Sequence, residues 1–346
     1  MYRRAQLTIA GIAIGMAVWA IISAIAINRS LIDPDGSFLG PSWLRLPLLL
    51  GAAILADLLP RALWFSRGRL ARVPGLIRER IDEHWHRDRL TLVAFGVIGF
   101  YVVYVSYRNL KSFLPFMIDV KYDRELHLID HAILFGHDPG VLMQDIFGTG
   151  FMAYFFSYVY LWFLSLVPVA VTIWIVWARN LAYGYWFVCS QAIAWTLGTI
   201  SYYCLPTLGP GLAFLSIYSD EPNTPAGELM NGLVNGRQNV LWGPIGDSIQ
   251  SVAGFASLHC GITLLTALLV QATVQRKWIR IFFWVNFAIT ALATVYFGWH
   301  YLADDIAGVM LALVSFYLGG LAAGQRFGPK PRPGQVSEAV QEKVAA

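Results

Sequence analysis

Long apolar runs divided by short polar breaks dominate the chain, and their lengths set the expected architecture. A helix rises 1.5 Å per residue, so crossing a hydrocarbon core takes roughly 17–25 predominantly apolar residues. About eight stretches qualify: 7–27, 46–65, 91–107, 151–177, 183–204, 258–275, 279–297 and 303–324. The pattern predicts an all-α, polytopic membrane helix bundle of about eight transmembrane helices. Inside the second run, Asp57 and Arg61 stand at i,i+4 spacing, which would let them pair. The first run is too long for a signal peptide and lacks a small-residue cleavage site, so it is expected to stay as an anchor.

Composition agrees with this reading: 57% of residues are hydrophobic, 13% are charged, and mean hydropathy is +0.56. Those values exclude an ordinary water-soluble domain. The pI near 8.9 calls for no nucleic-acid partner, because basic loops at anionic lipid headgroups explain it. Placing both termini in the cytoplasm puts most of the 25 Lys and Arg on the cytoplasmic side, which orients a cell-membrane, multi-pass protein. Three cysteines, Cys189, Cys204 and Cys260, lack metal-ligand spacing and are expected to be small buried apolar residues.

The chain divides at its basic connector. Residues 1–87 comprise two N-terminal spans plus that connector, 88–324 a six-helix catalytic membrane domain, and 325–346 a disordered cytoplasmic tail. Within the connector, Ile77, Ile81 and Trp85 repeat at helical spacing, as in a helix lying on the membrane surface. His84 and His86 are expected there as solvated side chains. Two long outer loops follow, 108–150 and 205–256. The second is rich in Gly and Pro, as expected of a lid carrying Tyr202, Tyr203, Phe214, Tyr218 and Trp242 at the outer mouth. An aromatic belt at the membrane surface would look the same. In the first loop, His127 and His131 stand four apart, a spacing that suits a metal. No third ligand is indicated, so neither metal nor cofactor is expected.

Chemistry concentrates at two outer span ends, in Gly254-Phe255-Ala256-Ser257-Leu258-His259-Cys260-Gly261 and Gly298-Trp299-His300-Tyr301-Leu302-Ala303-Asp304-Asp305. On a helix His300 and Asp304 would share one face, the carboxylate holding one ring nitrogen protonated while the other faces an electrophile. Ser257 and His259 open another span, where free backbone N–H groups and the positive helix end favour a phosphate. A lone interfacial histidine is more often a helix cap; two histidines with a carboxylate four residues on favour phosphoryl transfer.

Ser257-Leu258-His259 and His300-x-x-x-Asp304-x-x-x-Gly308 also resemble the second and third motifs of the type 2 phosphatidic acid phosphatase superfamily, over about residues 88–324. The resemblance implies a six-helix core in which His300 is the phosphorylated nucleophile, Asp304 its orienting partner and His259 the general acid. Two departures stand out. Ala293 and Thr294 occupy the places where the phosphatases usually carry Ser-Arg, and Tyr202-Tyr203-Cys204-Leu205-Pro206-Thr207-Leu208-Gly209-Pro210 stands where a Lys and Arg-Pro motif is usual. That combination resembles the inositol phosphorylceramide synthase branch.

The reading is therefore a metal-independent transferase moving a phosphorylated headgroup, with phosphoinositol the candidate, from a membrane phospholipid to a lipid or polyol hydroxyl. A lipid phosphate phosphatase using water is the alternative, and a non-catalytic lipid-binding or transport protein the rival of another class. A phosphate needs cationic partners. Arg108, Lys111, Lys121, Arg124 and Arg237 are the outer candidates, Lys111 and Arg237 first, with Ser257 and Tyr202 beside them.

Overall fold

The computed structural model describes residues 2–33, 42–218, 223–242 and 254–327. Among these no strand occurs, and thirteen α-helices follow in order: α1 (Arg3–Ala26), α2 (Ser42–Ser66), α3 (Val73–His84), α4 (Arg87–Met117), α5 (Asp123–Ile133), α6 (Pro139–Phe147), α7 (Phe151–Thr172), α8 (Leu181–Cys204), α9 (Pro210–Ala213), α10 (Pro225–Trp242), α11 (Leu258–Thr273), α12 (Lys277–Tyr296) and α13 (Leu302–Ala322). The protein is an all-α membrane bundle.

Six helices, α1, α2, α4, α7 with its π-helical extension, α12 and α13, are long and apolar enough to span a membrane. The other two expected spans fall short for separate reasons. Helix α8 is long but carries Ser190, Gln191 and Thr199, all buried, because α1, α4, α11 and α13 surround it. A helix walled by other helices does not need a lipid-facing apolar surface. Helix α11 has 16 residues, about 24 Å of rise. It sits between α12 and α13, with nearly every residue from Leu258 to Val270 buried.

Helix α1 is woven into this core. Ala5, Ile9, Ala13, Met16 and Ala20 line one stripe at i, i+4, i+8, i+11 and i+15, all buried against α4 and α8. Helix α2 packs chiefly on α3 and stays lipid-facing, with Trp43, Leu48, Leu55, Leu59 and Leu63 exposed.

Several expectations need correction. Asp57 pairs with Arg80 of α3, at 2.9 and 3.1 Å in a two-pronged contact, and not with Arg61. A guanidinium fork reaching across from α3 matches a carboxylate better than a neighbour on the same helix does. Arg61 lies over the Phe65 ring instead. His84 is buried rather than solvated, and its Nε2–H donates to the Val176 carbonyl at 2.8 Å. Burial lowers its pKa, which keeps the ring neutral for that donation. Arg89, also buried, donates to the Ile175, Ala178 and Arg179 carbonyls. Together these two side chains satisfy carbonyls that the π-helical end of α7, Ile173–Trp177, leaves without helical partners. Cys204 is exposed, whereas Cys189 and Cys260 are buried.

The outer loops are shorter than the apolar pattern implied. Helix α4 continues through Arg108, Lys111 and Pro115 to Met117, because polar residues end a membrane span without ending a helix. Helices α5 and α6 fill most of the remaining segment. In the second loop, Tyr202 and Tyr203 still belong to α8, and Tyr218 is buried against Gly140 and Gly298. The Trp242 side chain and residues 243–253 lie outside the described residues, as does the tail from 328. Phe327, at the start of that tail, packs on Trp186, Phe316 and Tyr317.

Candidate active site

The turn between α12 and α13 positions the first imidazole. Gly298 takes φ +62, a left-handed conformation that would strain a side chain, and its carbonyl accepts from Gly211 N at 2.8 Å. The chain then folds back so that His300 N donates to the Thr294 carbonyl at 3.3 Å, and α13 begins at Leu302. Asp304, in the first turn of α13, accepts from Tyr301 N at 3.1 Å and from His300 Nδ1 at 3.2 Å, both on Oδ2. With Nδ1 held by the carboxylate, Nε2 carries the lone pair. His300 is only 5% exposed, and burial lowers its pKa to about 4, so the ring is neutral at physiological pH.

The second imidazole opens α11. The Ser257 hydroxyl caps this helix, accepting from Cys260 N at 3.2 Å, and Ser257 N donates to the Asp304 carbonyl at 2.9 Å. Gly308 explains why the two helices can meet here. A Cβ at that position would stand 2.4 Å from the Ser257 carbonyl oxygen. The motif glycine is thus the close-approach residue that lets the His259 and His300 segments touch through backbone. His259 stacks on Tyr160 at 4.4 Å and touches Phe163 at 4.2 Å, and its ring centroid lies 6.2 Å from that of His300. Tyr160 stacks in turn on Trp299 at 5.3 Å, so aromatic faces hold the ring from one side.

Lys111 comes from the last turns of α4. Its Nζ lies 5.0 Å from the Tyr202 ring centroid and 5.9 Å from that of Tyr107, and its charge acts on both imidazoles. Tyr202 is fully buried and braces the lysine. Lys111 and Lys121 line one small cavity with Pro206, Thr207 and Leu208. The Thr207 hydroxyl is buried there with no hydrogen-bond partner among the described residues. Arg237 lies on α10, but its side chain lies outside the described residues. The structure thus brings together His259, His300, Asp304, Ser257, Tyr202 and Lys111.

Three carboxylates that sequence reasoning passed over hold this assembly. Asp305 accepts from the Thr294 hydroxyl at 2.8 Å. Asp123 accepts from Leu208 N at 2.9 Å, Gly209 N at 3.1 Å and the Tyr301 hydroxyl at 2.9 Å. Asp130 accepts from Leu302 N at 3.1 Å, at the first turn of α13. Burial raises the pKa of Asp123, against the pull of its hydrogen bonds, and raises that of Asp130 to about 6. The signal in the sequence was their spacing of seven, two helical turns, which puts both acids on one face of α5. Elsewhere on α5, His127 and His131 approach Asp138, the only cluster among the described residues with metal-ligand geometry.

The family model described as the PAP2 superfamily matches residues 124–318, which include both histidine motifs. No curated protein and no solved structure matches the chain.

Proposed function

The chain belongs to the PAP2 superfamily, and from that premise we propose that it transfers a phosphorylated headgroup between membrane lipids through a phosphohistidine. Membership supports phosphatase or phosphotransferase chemistry on lipid phosphates in general; the finer assignment rests on the site. The observation that carries it is the pair of imidazoles 6.2 Å apart, one of them held through Nδ1 by a carboxylate. In the first half-reaction His300 Nε2 attacks phosphorus. The P–N bond forms as the P–O bond to the lipid alcohol breaks, and His259 gives its proton to the departing oxygen. In the second, neutral His259 takes the proton of an acceptor hydroxyl, the new P–O bond forms, and His300 is released. The residues need no metal for either step.

A lipid donor fits the surroundings. A cavity of about 390 Å³ opens between α2, α4, α7 and α8, lined by Leu49, Val97, Phe100 and Val167, with Arg45 and Arg108 toward the outer helix ends. Phe163 forms part of its wall and also touches His259, so an acyl chain lying there would bring its headgroup toward the histidines. Phosphoinositol is the headgroup we propose, supported by the branch-like segment around Pro206 and by the absence of arginine at Thr294. Lys111 would grip the phosphate. The excess of basic residues in the connector and at both ends of the chain supports an extracytoplasmic site in the cell membrane.

The test is to incubate the purified protein with phosphatidylinositol labelled in its headgroup plus a hydroxyl-bearing lipid, and separately with phosphate-labelled phosphatidic acid. Label passing into a new lipid is the expected result. Inorganic phosphate from phosphatidic acid, with no headgroup transfer, replaces this reading with a phosphatase. Lipid bound but unchanged in both arms makes the protein a carrier.

A further inference from the structure

Outside the catalytic pocket, the outer helices hold a compact group of metal-ligating side chains. His127 and His131 stand one turn apart on α5, with ring centroids 4.2 Å apart. The turn after α5, with Phe135 at φ +55 and Gly136 at φ +91, sends the chain back over them and delivers Asp138. Asp138 Oδ1 lies 3.0 Å from His131 Nε2 and 3.5 Å from His127 Nδ1, and one ligand atom from each residue lies within 4.8 Å of the others.

The position of Asp138 gives an independent indication. It is the N-cap residue of α6, where an aspartate ordinarily accepts from the first turn's free N–H groups, yet its side chain makes no capping hydrogen bond. Its carboxylate is committed to the two imidazoles. The His127 ring is further fixed by stacking on Phe214 at 4.2 Å.

We propose that His127, His131 and Asp138 form a binding site for a first-row divalent metal ion, with zinc the best match. Zinc takes His nitrogens and carboxylate oxygens at about 2.0–2.2 Å, so tetrahedral ligand atoms stand roughly 3.3–3.5 Å apart. The two separations to Asp138 Oδ1, 3.0 and 3.5 Å, span that spacing, and the third edge, between the imidazole nitrogens, lies within 4.8 Å and closes to it on binding. Two imidazoles and one carboxylate disfavour magnesium and calcium, which prefer all-oxygen shells. A fourth position is left for water.

The ion would lock the α5–α6 turn. The adjoining strip of α5 carries Asp123 and Asp130, which hold Tyr301 and Leu302 beside His300, so the clip stabilises the frame of the catalytic segment without touching substrate. This inference stands whether the enzyme transfers or hydrolyses.

The experiment uses full-length protein in detergent, stripped with chelator and titrated with zinc. Metal content is measured after gel filtration, thermal denaturation is followed, and cobalt replaces zinc for the visible absorption of a four-coordinate site. The expected result is about one ion per chain, a raised melting temperature and a tetrahedral cobalt spectrum. In Asp138→Asn and in His131→Gln, which keeps a polar side chain of similar length, affinity falls at least about a hundredfold. Absence of binding at micromolar zinc overturns the proposal, as does undiminished binding in both variants.

Discussion

Removing the Asp123 carboxylate is predicted to loosen the catalytic segment from a distance. Its oxygens receive three donors, the Leu208 and Gly209 amides and the Tyr301 hydroxyl, all at 2.9–3.1 Å and largely dry. In Asp123→Ala those donors are stranded, at roughly 1–3 kcal/mol each where water cannot reach, for a total of about 3–6 kcal/mol after partial relief. Asp123→Asn is the discriminating control. Oδ1 alone meets all three donors, so an amide oxygen in that seat keeps them, and the expected loss is about 1 kcal/mol. Tyr301 follows His300 directly, so its release shifts the imidazole as well. Misplacement on the scale of 1 Å costs about a hundredfold in kcat, with KM little changed. Thermal denaturation in detergent together with steady-state kinetics reads both effects. Equal damage from Asn and Ala would refute the acceptor argument, and so would an Ala variant as stable and active as the wild type.

Other expectations follow from the same geometry. His259→Gln lowers kcat by about 10²- to 10⁴-fold on a natural lipid but much less on an aryl phosphate ester, whose leaving group needs no proton; product release assays on both substrates check the difference. Lys111→Met lowers kcat/KM by about ten- to a hundredfold, through loss of a charge-assisted contact worth about 1.5–3 kcal/mol. His300, held near 4 by burial, remains an unprotonated nucleophile from neutral pH down to about 5, so single-turnover phosphoenzyme formation should not collapse across that interval. An acid limb centred on the ordinary imidazole value near 6.5 contradicts the assignment.

The hydropathy pattern marks where hydrocarbon is crossed, and it locates the spans well because that constraint is local. It misjudged α4, whose last turns carry Arg108 and Lys111 beyond the hydrocarbon while remaining helical. It also gave α8 and α11 the standing of ordinary spans, although neighbouring helices supply the apolar surroundings of both. At the site, the contact between His300 and Asp304 was legible because only four residues separate them, although His300 lies in the turn before α13 and does not share a helix face with Asp304. The functions of Asp123, Asp130 and Asp305 were not, since each is defined by a partner 11 to 178 positions away. The same reason hid Asp138, which a turn of left-handed residues swings over a histidine pair already visible as a pair. The Asp57–Arg80 contact shows the limit plainly: local spacing suggested Arg61, and tertiary packing supplied a better fork.

The most direct test of the account is chemical trapping of the covalent intermediate. Protein mixed with phosphorus-labelled lipid is quenched in alkali, which preserves phosphohistidine, and the labelled peptide is identified by mass spectrometry. The account predicts label on His300, lost on acid treatment and absent from His300→Ala. Turnover by His300→Ala at the wild-type rate, or label residing on another residue, contradicts it.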